Sequence, residues 1–272
     1  MRPRSLLFTL FGDFLRYADV AVWIGSIIKY MEPFGFTEGA TRVAISRMVQ
    51  QGWLNSRKVG QKSYYRLTEK GRQRLEEGTS RVYHRVPEPW DGMWRVVVYS
   101  IPEDQRHLRD QFRKELQWRG FGPLSHTTWI SPRNVYAQVM ALIQQYDIQP
   151  YVDVFTARYD GPQTYQQIVQ KAWNMASVEA WYEAFLKTYS VRFETLRQRL
   201  AHGDLSDREC FVERTLLVHE YRKFLFVDPN LPEELLPPNW IGQRAHLLFQ
   251  ELHKLLSPGA ERFFAAHFDF VS

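Results

Sequence analysis

TEGATRVAISRMVQQGWLNSRKVGQKSYYRL, residues 37–67, decides how this chain is read. Its first half has the spacing of an amphipathic helix. At about 100° per residue, Thr41, Ala44, Ile45 and Met48 fall on one face. The opposite face carries Gly39, Val43, Ser46 and Gln50, flanked by Arg42 and Arg47. Thr37 is placed to cap this helix, and Glu38 sits where a carboxylate favours the positive end of the helix dipole. The second half forms two extended runs around Gly60-Gln61, and a glycine at the first central position suits a type II′ hairpin. Arg57, Lys58 and Lys62 lie near its tip. Small and polar residues that let a helix approach base edges, beside cations for the phosphate backbone, imply a winged helix-turn-helix that binds duplex DNA. Arg42, Ser46 and Arg47 are the candidates for the groove, with Thr37 at the helix start. Arg57, Lys58 and Lys62 are the candidates for phosphate.

Bulk properties agree with that reading. Residues 1–85 carry 15 Lys/Arg against 7 Asp/Glu, although the whole 272-residue chain has a net charge of only +5, so the remainder is acidic on balance. Phosphate neutralisation is the simplest reason to concentrate positive charge in the segment that holds helix and hairpin. A hydrophobic fraction of 44% and an aromatic fraction of 15% exclude a disordered chain. Ser5–Leu15, interrupted by Gly12-Asp13, is too short to span a bilayer and has no small-residue cleavage site. With Cys210 as the only cysteine there is no disulfide framework, and the chain reads as cytoplasmic with no membrane partner.

Around residues 37–67 the pattern predicts helices over Leu6–Arg16, capped by Ser5, and over Val22–Met31. A polar helix from Glu69 to about Arg85 follows the hairpin. Val86-Pro87-Glu88-Pro89 reads as a stiff linker. From Trp90 the order strand, helix, two short strands, helix, strand is the ferredoxin-like βαββαβ arrangement. After Gly161 the pattern is helical: a stripe from Val178 to Leu200, a helix over Asp207–Val227, a proline-rich crossing (DPNLPEELLPPNW), then helices over Gln243–Leu256 and Glu261–Phe268. The expected fold class is α+β in three domains: a winged-helix domain at 1–86, a ferredoxin-like domain at 90–160 and an all-α domain at 161–272.

Taken together, RPRSLLFTLFGDFLR, VWIGSIIKYMEPFGFTEGATRVAISRMVQQGWL, WDGMW and HEYRKFLFVDPNLPEELLPPNWIGQRA resemble the PaaX family, repressors of bacterial phenylacetate degradation. The match covers almost the whole chain. It implies a homodimeric repressor of a phenylacetate catabolic operon, bound to operator DNA and released by phenylacetyl-coenzyme A. The middle unit also looks like the small CRISPR-associated ferredoxin-like endonuclease, which places an aspartate at the end of its first strand to hold a metal. Here that step is Tyr99-Ser100, and a hydroxyl is a poor substitute for a carboxylate on Mg²⁺. A metal-dependent nucleic-acid-processing enzyme is therefore the alternative reading, and no enzyme activity, metal or cofactor is expected.

For an acyl-coenzyme A effector the candidates are His219, Arg222, Lys223 and Trp240. Arg222 shares a helical face with Phe211, Thr215, Val218 and Leu225, so its guanidinium must find a partner among apolar neighbours. That partner is either an effector phosphate or carbonyl, or an internal acid such as Glu179 or Glu183. Trp240 either stacks on an aromatic acyl group or packs in the core. His219, His246 and His253 invite a zinc reading, but helical zinc ligands usually have tighter spacing. Cys210 reads as a packing residue.

Overall fold

The computed structural model describes residues 1–16, 20–83 and 89–271, which divide into two compact units. One comprises residues 1–85, 185–222 and 245–272; the other comprises 86–184 and 223–244. Residues 86–88 of the expected linker lie outside the described residues.

The first unit opens with α1 (Pro3–Leu10), which begins before Ser5. Proline's fixed φ suits a first helical turn, and the preceding Arg2 provides no side-chain cap. Ser5 is thus inside the helix rather than its cap. The helix widens into a π-helical segment over Phe11–Leu15. β1 (Ala21–Trp23) comes next, where the spacing had suggested helix, and α2 (Ile24–Met31) follows. These three residues are extended because both of their edges are paired, one to the hairpin and one to the end of the chain. α3 (Glu38–Gln50) buries the expected Thr41, Ala44, Ile45 and Met48. Ile45 and Met48 are fully inside, each contributing roughly 1.5–3 kcal/mol of burial. β2 (Leu54–Val59) and β3 (Lys62–Leu67) form the hairpin, and α4 (Glu69–Tyr83) leaves it. Gly60 has φ +60° while Gln61 keeps a negative φ, as a type II′ turn requires.

The second unit holds β4 (Trp94–Tyr99), α5 (Arg106–Trp118), β5 (Gly122–Pro123), β6 (Thr128–Ser131), α6 (Tyr136–Gln145) and β7 (Val152–Ala157). The antiparallel sheet has the order β5-β6-β4-β7, the ferredoxin-like one. Strand alternation sends Val97 and Tyr99 to one face, against Phe112, Leu116, Val139 and Leu142. Trp94 and Val96 go to the other, which α7 (Tyr165–Ala172) covers with Ile168, Val169 and Ala172. Both faces of the sheet are therefore occupied by this chain's own residues.

The remainder is α-helical: α8 (Met175–Ala201), α9 (Asp207–Tyr221) and α10 (Ile241–Ala266). Ser206 and Glu209 close a reciprocal cap at the start of α9. The helix ends at Tyr221, and residues through Phe226 tighten into a 3₁₀ turn. α10 continues through Pro258, where two helices had been expected. One strand is added to this all-α region: β8 (Phe270–Val271) pairs with β1 and completes the first unit's sheet in the order β2-β3-β1-β8.

A buried polar cluster holds these distant segments together. Asp13, on the π-helical segment, accepts two bonds from Arg214 of α9, at 2.9 and 3.0 Å, and one from the Tyr83 hydroxyl of α4, at 2.7 Å. His253 Nε2 of α10 lies 3.0 Å away. Arg214 also reaches Glu261 and Ser257 of α10. Burial acts to raise the Asp13 pKa, but the His253 hydrogen bond and the Arg214 charge outweigh it and hold the carboxyl well below its usual range. The same surroundings push the Tyr83 phenol up, first through burial and then through the Asp13 charge.

Candidate nucleic-acid interface

Thr37 caps α3, its Oγ1 accepting from Ala40 N at 3.2 Å. At the other end Trp53 N donates to Met48 O and Gly52 N donates to Val49 O, both at 2.9 Å, closing the helix around a left-handed Gly52. Side chains outside the helix fix this end. Thr68 Oγ1 donates to Gly52 O at 2.7 Å, Arg4 donates to the Gln51 amide oxygen at 2.9 Å, and the Lys70 ammonium lies 4.5 Å from the centre of the Trp53 ring. Gly71 is required here, because a Cβ would collide with the carbonyl oxygen of Trp53.

The anchored helix presents Gly39, Arg42, Val43, Ser46, Arg47 and Gln50 to solvent. Val43, an apolar side chain 53% exposed at the centre of that face, has the character of a thymine-methyl contact. Arg42 already has a partner: its guanidinium lies 2.7 Å from Glu38 one turn earlier. Phosphate or a guanine edge must compete with that exposed pair, which by itself contributes ~0.3–0.5 kcal/mol.

The hairpin cations do not form one cluster. In the register Arg57↔Tyr64 and Val59↔Lys62, Arg57 and Lys62 share one face of the ribbon, while Lys58, opposite Ser63, is on the other. All three are exposed. On the Arg57 side, Arg66 and Arg72 also line a cleft of about 340 Å³, two cations that the sequence reading left out. Lys62 is engaged within the unit. Its ammonium is 2.7 Å from Asp269 and 4.5 Å from the centre of the Trp23 ring, and the Asp269 hydrogen bond raises its pKa. A phosphate contact by Lys62 therefore has to compete with Asp269. Asp269 is separated from Lys62 by most of the chain, and no local spacing marks it.

The four effector candidates divide between the two units, His219 and Arg222 in the first, Lys223 and Trp240 in the second. Arg222 donates from Nη2 to Ser5 O and Ser5 Oγ and from Nε to Thr9 Oγ1, each at 2.7 Å. Its partners are neutral oxygens of α1, so burial brings its pKa down to about 10. His219 Nδ1 meets the same Thr9 hydroxyl at 2.9 Å. Trp240 belongs to the other unit, where it is buried edge-on against Tyr182 and its indole N–H has no hydrogen-bond partner among the described residues. Lys223, in the same unit, is exposed.

The three histidines go to separate partners: His219 to Thr9, His246 to Tyr221 and His253 to Asp13. Among the described residues no group of three or more His, Cys, Asp or Glu side chains is arranged to hold a metal ion. Ser100, at the step where the endonuclease pattern places its aspartate, is exposed and offers no carboxylate. Cys210 is buried, which pushes its thiol pKa up, and Gly259 leaves it room: a Cβ there would come within 2.7 Å of Sγ. Among the described residues no helix is long and apolar enough to cross a membrane.

Three family profiles match the chain. Residues 2–71 match one described as PaaX-like protein, 87–169 match the PaaX protein central Cas2-like domain, and 173–266 match the PaaX-like protein C-terminal domain. The transcriptional repressor PaaX of Escherichia coli (strain K12) is 31% identical over 262 residues, covering 95% of this chain and 82% of that protein. A solved structure of an uncharacterised protein from Mycobacterium tuberculosis has the same fold. It superposes with a TM-score of 0.54 at 23% identity, covering 97% of this chain and 98% of that one. By matches that run from the winged helix to α10, the chain belongs to the PaaX family.

Proposed function

We propose that this protein is a DNA-binding transcriptional repressor of a phenylacetate catabolic operon, working in the cytoplasm as a homodimer. The observation that carries the reading is the face of α3: six solvent-exposed residues of the expected small, polar and cationic kinds, on a helix fixed at both ends beside a basic hairpin. That arrangement can enter a major groove and reach base edges. The similar repressor of Escherichia coli supports the assignment to transcription rather than catalysis. In this reading the chain works as three domains, 1–86, 90–160 and 161–272. Two copies present their α3 helices to half-sites ~34 Å apart or a multiple of that.

Release by an acyl-coenzyme A, phenylacetyl-coenzyme A first among them, completes the proposal. Such an effector must favour the unbound geometry by its own differential affinity, since equal binding to both states shifts nothing. A coupling of about 1–3 kcal/mol gives a 5- to 150-fold loss of DNA affinity. His219, Arg222, Lys223 and Trp240 remain the candidate contacts, and the buried indole N–H of Trp240, without a partner among the described residues, is the strongest single feature among them.

Fluorescence anisotropy of labelled promoter DNA, titrated with the protein and then with phenylacetyl-, benzoyl- and acetyl-coenzyme A, tests both parts. Sequence-specific binding that phenylacetyl-coenzyme A alone reverses is the expected result. Binding that no acyl-coenzyme A alters would remove the effector and leave the repressor.

A further inference from the structure

Lys62 opens β3 directly after the Gly60-Gln61 turn, where a winged helix brings its hairpin to the DNA backbone. It is nevertheless ion-paired to a residue that follows α10. Asp269 is built into the sheet through its main chain: its N–H donates to Ser26 Oγ at 3.1 Å, its carbonyl accepts from Trp23 N at 2.9 Å, and the next two residues form β8 against β1. Its side chain is left to face the hairpin. One carboxylate oxygen takes the Lys62 ammonium at 2.7 Å, and the other takes the Tyr64 hydroxyl at 3.4 Å. The Trp23 ring supports the ammonium from beside it, 4.5 Å away. Both ionic groups keep contact with water, with side-chain exposures of 48% for Lys62 and 38% for Asp269. The pair is therefore accessible to a competing anion.

We infer that Asp269 is a positioning residue of the DNA interface: its carboxylate holds Lys62 back from DNA phosphate, and so sets how much the hairpin adds to non-specific affinity. The inference rests on the winged-helix reading of residues 37–67 and extends it to a residue that no hairpin pattern would include. Carboxylate and phosphate are alternative partners for one ammonium, so a DNA contact by Lys62 breaks one ion pair as it forms another. A cation released from its acid makes that contact without the exchange, and a neutral residue 269 no longer repels the phosphate.

The test uses the full chain and the Asp269→Asn, Asp269→Glu and Lys62→Ala variants, with the double variant Lys62→Ala/Asp269→Asn. Affinity for operator and for random duplex is measured across salt concentrations. Asparagine keeps the main-chain bonds of position 269, so folding is retained and is checked by thermal melting. Asp269→Asn is expected to tighten binding to both duplexes several-fold and to steepen the slope of log affinity against log salt by ~0.9, the signature of one further phosphate contact. Asp269→Glu restores the carboxylate and should behave as wild type. In the Lys62→Ala background the change in slope should vanish. An unchanged slope in Asp269→Asn, or weaker binding with an intact fold, overturns the role of Asp269 while leaving DNA binding standing. A wild-type protein that binds no duplex at any salt overturns the reading beneath it as well.

Discussion

The Asp13 carboxylate and the Arg214 guanidinium meet through two hydrogen bonds of 2.9 and 3.0 Å, although 201 positions separate them in the chain. Their side chains are 1% and 6% exposed. Removing one member strands the other in a place without water, and breaking a buried pair costs roughly 3–5 kcal/mol. Arg214→Ala should therefore lower the unfolding free energy from urea titration by that amount, while Arg214→Lys, which keeps the charge, should lose less. The joint change Asp13→Leu with Arg214→Met should recover only part of the loss, because it removes both charges together but takes the acceptor from the Tyr83 hydroxyl. A single Arg214→Ala variant as stable as wild type would show the pair to be idle.

The same carboxylate makes stability depend on acid. The folded pKa of Asp13 lies below the ordinary value of 3.8. Its contribution is thus complete above that ordinary value and is lost as pH falls toward the folded pKa. Urea midpoints should decline more steeply below about pH 4 for wild type than for Asp13→Asn. Glu209, held at about 2 by Arg199 and Ser206, contributes to the same limb, so the comparison between variants, not the wild-type curve alone, isolates Asp13.

Arg47 and Arg42 share the exposed face of α3 but only Arg42 is paired to an acid on that helix. Arg47→Ala should weaken operator binding by roughly 1–3 kcal/mol and relax preference at one base position, leaving random DNA less affected. Glu38→Gln should tighten binding modestly, because it releases Arg42. Equal losses on operator and random duplex for Arg47→Ala would reassign Arg47 to phosphate.

Arg222 connects α9 to α1 through Ser5 and Thr9. Arg222→Met should lower thermal stability by roughly 1–3 kcal/mol, since the oxygens it satisfies lose their donor. If Arg222 also serves the effector, the midpoint for DNA release by phenylacetyl-coenzyme A should rise in Arg222→Lys, which keeps charge and differs in geometry. Unaltered release in a folded Arg222→Lys protein would assign the residue to packing alone.

Local pattern was enough to recover α3, its cap at Thr37, its buried and exposed faces and the II′ turn. Each depends on neighbours within one helical turn or one hairpin. The ferredoxin-like order was legible for the same reason, through strand alternation and turn residues. What escaped was set by distant partners. Ala21–Trp23 is a strand only because β3 and β8 flank it, and Phe270–Val271 is a strand only because β1 is there. Asp13 registered as a break in an apolar run, with nothing nearby to show that Arg214 would meet it. The Asp269 partner of Lys62 lies beyond any local window. Arg222 posed the right question, a cation among apolar neighbours, and its answer lay in the hydroxyl and carbonyl groups of α1.

The fourth strand of the first sheet comes from residues 270–271, while its neighbour comes from residues 21–23. A ribosome making this protein emits the hairpin well before the strand that borders its sheet. At ~5–20 residues per second the N-terminal module waits many seconds with one edge of β1 uncovered, Asp13 unpaired and Lys62 unclaimed. Completion of this sheet thus follows translation of distant residues, and stalled chains of graded length offer a direct way to watch binding competence change as β8 emerges.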